Sequence, residues 1–172
     1  DCKYVIVGHS ERRQYFGETD ETVNRKLDAA LRADINPVCC VGETLAQYEA
    51  KETFGVIERQ VKKALTGISS RDLESVVFAY EPVWAIGTGK NATPGYAAEV
   101  HAFIRNLLGK LYDSPIANLV RIIYGGSVKP ANAIELLREP QIDGLLVGGA
   151  SLDGDQFAEI IRAVEVKAIP SM

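Results

Sequence analysis

VVFAYEPVWAIGTG, residues 76–89, joins a short apolar run to a carboxylate and then to a glycine-rich loop. The run at 76–80 is too short for a helix and too continuously apolar for a strand with one face in solvent. Parallel strands that are covered on both faces have this pattern. Three further runs share the pattern, at 4–8, 37–41 and 145–147. A fourth, at 120–124, differs from it by containing Arg121.

Helical patterns lie between and after these runs. Apolar residues recur there at intervals of three and four residues, which is the spacing of one helix face. Thr93 and Pro94 precede the longest pattern as a predicted N-cap and first turn. The apolar positions are Val23, Leu27, Ala30 and Leu31; Ile57, Val61, Ala64 and Leu65; Val100, Ile104, Leu107, Leu108 and Leu111; Ile134 and Leu137; and Phe157, Ile160, Ile161 and Val164.

The alternation of strands and helices predicts an α/β fold with five parallel βα units. We expect residues 1–172 to form a single domain, because no linker rich in Pro, Gly or Ser interrupts the pattern. A complete (β/α)₈ barrel takes about 250 residues, so this chain is shorter by roughly 80 residues, or about three βα units. An open, doubly wound sheet of five strands has no such deficit. Periodicity alone does not separate the partial barrel from the open sheet.

Composition narrows the class of protein. The chain is 47% hydrophobic and 24% charged, which is ordinary for a soluble globular domain. Its net charge of -4 comes without a basic cluster, which argues against nucleic-acid binding. No apolar run approaches the ~20 residues of a membrane helix, and no signal peptide is visible. The three cysteines, two of them adjacent, are not a disulfide framework, so we expect a cytoplasmic location.

The residues that follow the apolar runs are the candidates for a functional site. Because the carboxyl ends of parallel strands meet at one edge, these residues are expected to lie together. His9 is either a structural cap or an acid–base or electrophilic group, and a helix N-terminus would disfavour its charged form. Glu81 is either ion-paired at the rim or a partly desolvated general base. His101, within the third helical pattern, is predicted to be structural.

Two kinds of loop complete the predicted site. The apolar residues 84–86 precede the small residues 87–89, an arrangement that suggests a lid. Glycine pairs at 125–126 and 148–149 follow the last two runs, and glycine-rich turns with free N–H groups can bind phosphate. Either pair alone is more simply explained as a tight turn. Their placement after the last two strands matches the phosphate site of (β/α) barrels.

Five motifs resemble the triosephosphate isomerase family in order and spacing. They are AYEPVWAIGTG at 79–89, GHSERR at 8–13, CVGET at 40–44, YGGSV at 124–128 and LLVGGA at 145–150. The resemblance extends from Tyr4 to Val164 and implies the C-terminal five βα units of a triosephosphate isomerase barrel, with the first three units absent. It implies an aldose–ketose isomerase that acts on a small phosphorylated triose, without a cofactor or a metal.

The resemblance also implies roles for individual residues. Glu81 would move a proton between C1 and C2 of the triose phosphate, and His9 would be the neutral electrophile that polarises the carbonyl. Glu11 would orient the site. The substrate phosphate would be held by Gly87, Ser127, Gly148 and Gly149.

Departures from the family pattern lead to a second hypothesis. The strand that carries the family's Asn and catalytic Lys is absent, and so is the loop that makes most of its dimer contact. Gly95 and Tyr96 replace a more polar pair. The second hypothesis is therefore a truncated barrel with little or no activity, which only self-assembles or binds phosphate. The runs at 4–8 and 145–147 are expected to be unpaired edges through which the chain forms a homo-oligomer.

Overall fold

A computed structural model of the protein describes residues 2–86 and 92–168, with side chains through residue 164. In these residues five parallel strands form one sheet: β1 (Tyr4–Val7), β2 (Asn36–Val41), β3 (Val77–Tyr80), β4 (Arg121–Tyr124) and β5 (Gly144–Leu145). The helices are α1 (Ser10–Phe16), α2 (Asp20–Arg32), α3 (Leu45–Glu49), α4 (Thr53–Ala64), α5 (Ser70–Leu73), α6 (Pro94–Leu111), α7 (Ser114–Leu119), α8 (Pro130–Arg138) and α9 (Gly154–Ala168). Short 3₁₀ turns cover Val83–Ala85 and Gly149–Leu152.

The strand order decides between the two architectures that periodicity allowed. Each strand pairs in parallel with the next strand along the chain, in the order β1-β2-β3-β4-β5. A doubly wound sheet reverses its strand order at a switch point, whereas a barrel does not. The predicted partial barrel with five parallel βα units is confirmed, and the open doubly wound alternative is wrong.

Two relationships between strands that are not neighbours together indicate that this sheet curves. The guanidinium of Arg121, on β4, donates a hydrogen bond of 3.2 Å to the hydroxyl of Tyr4, on β1. In a flat sheet these strands would lie on the order of 14 Å apart, because three inter-strand spacings separate them. Ile6 on β1 and Leu146 after β5 also line one common cavity. The five strands therefore form an arc with a concave face.

Buried side chains cover both faces of the central strands. Alternate residues of a strand point to opposite faces, and the structure contains two corresponding clusters. The larger cluster lies between the sheet and the helices and includes Cys39, Phe78 and Tyr80. The smaller cluster comes from the other set of strand residues, namely Val38, Cys40, Val77 and Ala79, with Ile123 and Leu146 against it.

Burial at the two ends of the arc is lower than the apolar pattern by itself indicates. Tyr4, Val5 and Ile6 of β1 are 42%, 37% and 46% exposed, although the run was expected to be covered on both faces. Only Ile160 is buried in the stripe predicted for α9; its other members are exposed: Phe157, Ile161 and Val164. The physical reason is that β1 has a paired strand on one side only in the described chain, while α9 packs mainly against α8.

Other details of the helices agree with the sequence. The Thr93 hydroxyl accepts a hydrogen bond of 3.2 Å from the Tyr96 N–H, and Pro94 begins α6, as predicted. His101 is fully buried, and its Nδ1 lies 3.1 Å from the Gln141 carbonyl oxygen. Burial lowers the pKa of His101 to about 4, so the ring is neutral and structural. Among the described residues no helix is long and apolar enough to cross a membrane.

Candidate active site

A cavity of about 530 Å³ lies at the carboxyl ends of the strands. It brings together six of the seven residues predicted for the site, which are His9, Glu11, Glu81, Ser127, Gly148 and Gly149. The seventh, Gly87, lies outside the described residues, as do the residues that follow it in the predicted lid. The tertiary structure therefore joins loops that follow β1, β3, β4 and β5 into one site.

Glu81 follows β3 directly and is only 2% exposed. Its Oε2 accepts a hydrogen bond of 3.0 Å from the Ser10 N–H, at the first turn of α1. Its Oε1 lies 2.9 Å from the Nε2 of His9. The carboxylate is thus removed from solvent, with a backbone donor bound to one oxygen and the imidazole of His9 beside the other.

His9 is the N-cap residue of α1. Its Nδ1 accepts a hydrogen bond of 3.3 Å from the Glu11 N–H, so the proton of the neutral ring is on Nε2, which faces Glu81. The Glu81 carboxylate raises the pKa of His9, and this effect outweighs that of burial, which lowers it. The helix N-terminus was expected to keep the ring neutral. In this arrangement the adjacent carboxylate acts in the opposite direction and raises the pKa of His9.

The glycines of the site meet two different steric requirements. A Cβ on Gly125 would lie 3.1 Å from the Cγ of Glu81, and one on Gly126 would lie 2.2 Å from the hydroxyl oxygen of Tyr124. The ring of Tyr124 therefore requires glycine at position 126, whereas a side chain at position 125 would crowd Glu81. A Cβ on Gly148 or Gly149 would meet nothing within 4 Å. The space over this second pair is open, as an anion-binding turn requires.

Comparison with known proteins shows the family of the chain. The sequence model of the family described as "Triosephosphate isomerase" matches residues 1–164. The chain belongs to the triosephosphate isomerase family. The triosephosphate isomerase of Geobacter metallireducens is 57% identical over 161 residues, which are 94% of this chain and 64% of that protein. That of Moorella thermoacetica is 59% identical over the same shares of the two chains. The chain thus spans less than two thirds of the length of these triosephosphate isomerases.

Sequence reasoning gave no role to Glu43, which the family motif at 40–44 contains. Its carboxylate is fully buried. Its Oε1 accepts hydrogen bonds of 2.8 Å from Trp84 Nε1, 3.1 Å from the Tyr80 hydroxyl, 3.3 Å from the Thr53 hydroxyl and 3.4 Å from the Tyr96 hydroxyl. One feature of the sequence could have indicated this network. Tyr96 departs from the family pattern, and a tyrosine hydroxyl is a donor that can reach into the core.

Trp84 has a different position from the one expected. It was predicted at the apolar tip of a lid, but it is 8% exposed within the 3₁₀ turn and stacks on Tyr48 with ring centroids 4.2 Å apart. Trp84 therefore fixes the beginning of the loop that follows Glu81 in this member of the triosephosphate isomerase family.

Lys129 is a second residue that sequence reasoning missed. Among the described residues that line the cavity it is the one lysine or arginine. Its backbone N–H donates to the Asn132 side chain with a distance of 2.8 Å, which places Lys129 at the start of α8. Its position two residues after Ser127, on a loop predicted to bind phosphate, could have indicated that Lys129 lines the site.

Proposed function

We propose that the chain carries the catalytic base and the phosphate-binding loops of a triosephosphate isomerase, which interconverts glyceraldehyde 3-phosphate and dihydroxyacetone phosphate. The observation that carries this proposal is the contact of 2.9 Å between His9 Nε2 and Glu81 Oε1 in the same cavity as the open Gly148–Gly149 turn. A base, a hydrogen-bond donor and an anion site are among the groups that this reaction uses.

Glu81 is the proposed base. Proton abstraction next to a carbonyl needs a carboxylate within hydrogen-bond distance of the carbon acid and shielded from water. Glu81 is shielded, and its Oε1 already faces the cavity through the contact with His9. On substrate binding, the carboxylate moves from His9 toward C1 or C2 of the triose and transfers the proton between them.

His9 is the proposed electrophile. Its Nε2 proton can be donated to the carbonyl oxygen of the substrate once Glu81 has turned away. Without that contact the largest cause of the raised pKa of His9 is removed, and the N-terminus of α1 favours the neutral ring. The contact between His9 and Glu81 before substrate binds is therefore compatible with the neutral imidazole that the family uses as its electrophile.

The phosphate of the substrate is proposed to bind at Ser127, Gly148 and Gly149, with Gly87 as a further donor. Free backbone N–H groups above open space suit a phosphate oxygen. Lys129 lines the same cavity and carries a positive charge. Neither a metal nor a cofactor takes part in this proposal.

A second candidate function is a barrel fragment that binds phosphate without turnover. The observation in its favour is the exposure of β1, which leaves the concave side of the site open to solvent next to His9. Removing one preorganised group that stabilises charge lowers kcat by about 10²–10³. A site that is open to solvent on this side would lose stabilisation of this kind.

A turnover assay on the 172-residue chain separates the two candidates. For the isomerase we expect measurable turnover that Glu81→Gln lowers by at least about 10², the usual contribution of a general base. The matched control is Glu99→Gln, which changes an exposed carboxylate on α6 and should leave the rate unchanged. Equal rates for Glu81→Gln and the parent would exclude Glu81 as the base. Absence of turnover together with binding of 2-phosphoglycolate would favour the second candidate.

A further inference from the structure

Gln60 is a buried polar residue on α4, and its side chain contacts the backbone directly after strand β2. It is 5% exposed. The Gly42 N–H donates to Gln60 Oε1 at 2.8 Å, and Gln60 Nε2 donates to the Gly42 carbonyl oxygen at 3.1 Å. Only one orientation of the amide makes both bonds, because each end of the amide meets the opposite kind of backbone group. The Gln60 side chain thus holds Gly42 at two points.

Gly42 in turn lies against the backbone of Glu81. A Cβ on Gly42 would come within 1.7 Å of the Glu81 carbonyl oxygen, so the two backbones are in direct contact. The segments on either side are also joined, since the Glu81 N–H donates to the Val41 carbonyl at 2.8 Å and the Val83 N–H donates to the Glu43 carbonyl at 3.2 Å. Movement of Gly42 would therefore move the backbone from which the Glu81 side chain extends.

We propose that Gln60 is a positioning residue for Glu81, acting through the Gly42 backbone to hold the carboxylate beside His9. The proposal rests on the proposed function in so far as Glu81 is the base. This proposal predicts an effect that a glutamine with only a packing role would not have. Loss of the two hydrogen bonds to Gly42 should alter the distance between Glu81 and His9, which lie on other elements of the fold.

The test replaces Gln60 by Met, which has a similar length and no hydrogen-bonding amide. The matched control is Asn24→Leu, since the Asn24 amide also donates to two backbone carbonyls, those of Ala64 at 2.8 Å and Thr66 at 2.9 Å, but lies away from the cavity. Both changes are neutral, so neither adds a charge near His9. The readout is the pH titration of the two imidazoles by NMR, in the full 172-residue chain.

In the parent chain the carboxylates of Glu81 and Glu11 raise the pKa of His9. In Gln60→Met we expect it to fall toward the ordinary value of about 6.5, while Asn24→Leu keeps the value of the parent. His101 serves as an internal control for folding, because its buried ring should keep its low pKa of about 4 in both variants. An unchanged pKa of His9 in a folded Gln60→Met variant, or an equal fall in Asn24→Leu, would overturn the proposal.

Two additions keep the test decisive. If Gln60→Met does not fold, Gln60→Asn replaces it, since the shorter amide stays polar but cannot make both bonds to Gly42. If the chain is active, Gln60→Met should lower kcat by about tenfold to a hundredfold and leave KM nearly unchanged, as a displaced catalytic group does. Absence of turnover in the parent would count against the proposed function alone, because the His9 titration judges Gln60 independently.

Discussion

The Nε2 atom of His9 and the Oε1 atom of Glu81 lie 2.9 Å apart, so the loop after β1 and the residue after β3 meet in one contact. This contact raises the pKa of His9. The folded chain therefore holds the His9 proton more tightly than the unfolded chain does. Below the pKa of His9 in the unfolded chain, about 6.5, the stability linked to this proton is fully present. It is lost as the pH rises through the higher pKa that His9 has in the folded chain.

The first prediction concerns this pH dependence. Glu81→Gln removes the charge that raises the pKa of His9, so it should reduce stability more at about pH 6 than at about pH 9. Urea unfolding of the parent and the variant at both pH values measures the difference. Glu99→Gln is the control and should show no such pH dependence. A larger loss at the higher pH would contradict the assigned direction of the shift.

The second prediction concerns the phosphate site. Gly149→Ala should fold normally, because the added methyl group meets nothing within 4 Å. The methyl group would occupy space that a bound phosphate needs, so the affinity for inorganic phosphate or 2-phosphoglycolate should fall by about tenfold, or ~1.4 kcal/mol. Gly154→Ala is the matched control, since it adds a methyl group in open space outside the cavity. Equal binding by both variants, or no response of the parent at millimolar ligand, would argue against this site.

The third prediction concerns the buried carboxylate of Glu43. Glu43→Leu leaves several donors without an acceptor, each at a cost of about 1–3 kcal/mol, so the variant should be destabilised by more than about 3 kcal/mol. Glu43→Gln should cost much less, because four of the donors converge on one oxygen that an amide can still provide. Unfolding followed by the fluorescence of Trp84, the one tryptophan of the chain, measures both. Equal losses in the two variants would show that the donors do not depend on this acceptor.

The fourth prediction concerns assembly. The outer edges of β1 and β5 have no partner strand in the described chain, and Ile6 is 46% exposed. Unpaired edges beside apolar surface favour association, so we expect the 172-residue chain to sediment at micromolar concentration as a dimer or larger species. Ile6→Lys should shift it toward the monomer. Leu119→Lys, at a 65% exposed position at the end of α7, should not. A compact 18.7 kDa monomer of the parent would contradict the prediction.

The sequence by itself predicted the five strands, five of the nine described helices and six of the residues that line the cavity. Local spacing carries this information, because alternation and 3.6-residue periodicity record which side of each element is buried. His9, Glu81 and the Gly148–Gly149 turn were predicted to lie together because each follows a strand, and the carboxyl ends of parallel strands meet at one edge.

Only the tertiary structure decided how these elements meet. The order of the strands, the contact between Tyr4 and Arg121 and the exposure of β1 depend on which strands become neighbours, and no local pattern records that choice. The same is true of Gln60, whose partner Gly42 lies in another element, and of Glu43, whose donors come from separate segments. A buried polar residue is stabilised by whatever donor or acceptor folding brings to it, so its role becomes visible only when distant parts of the chain are placed together.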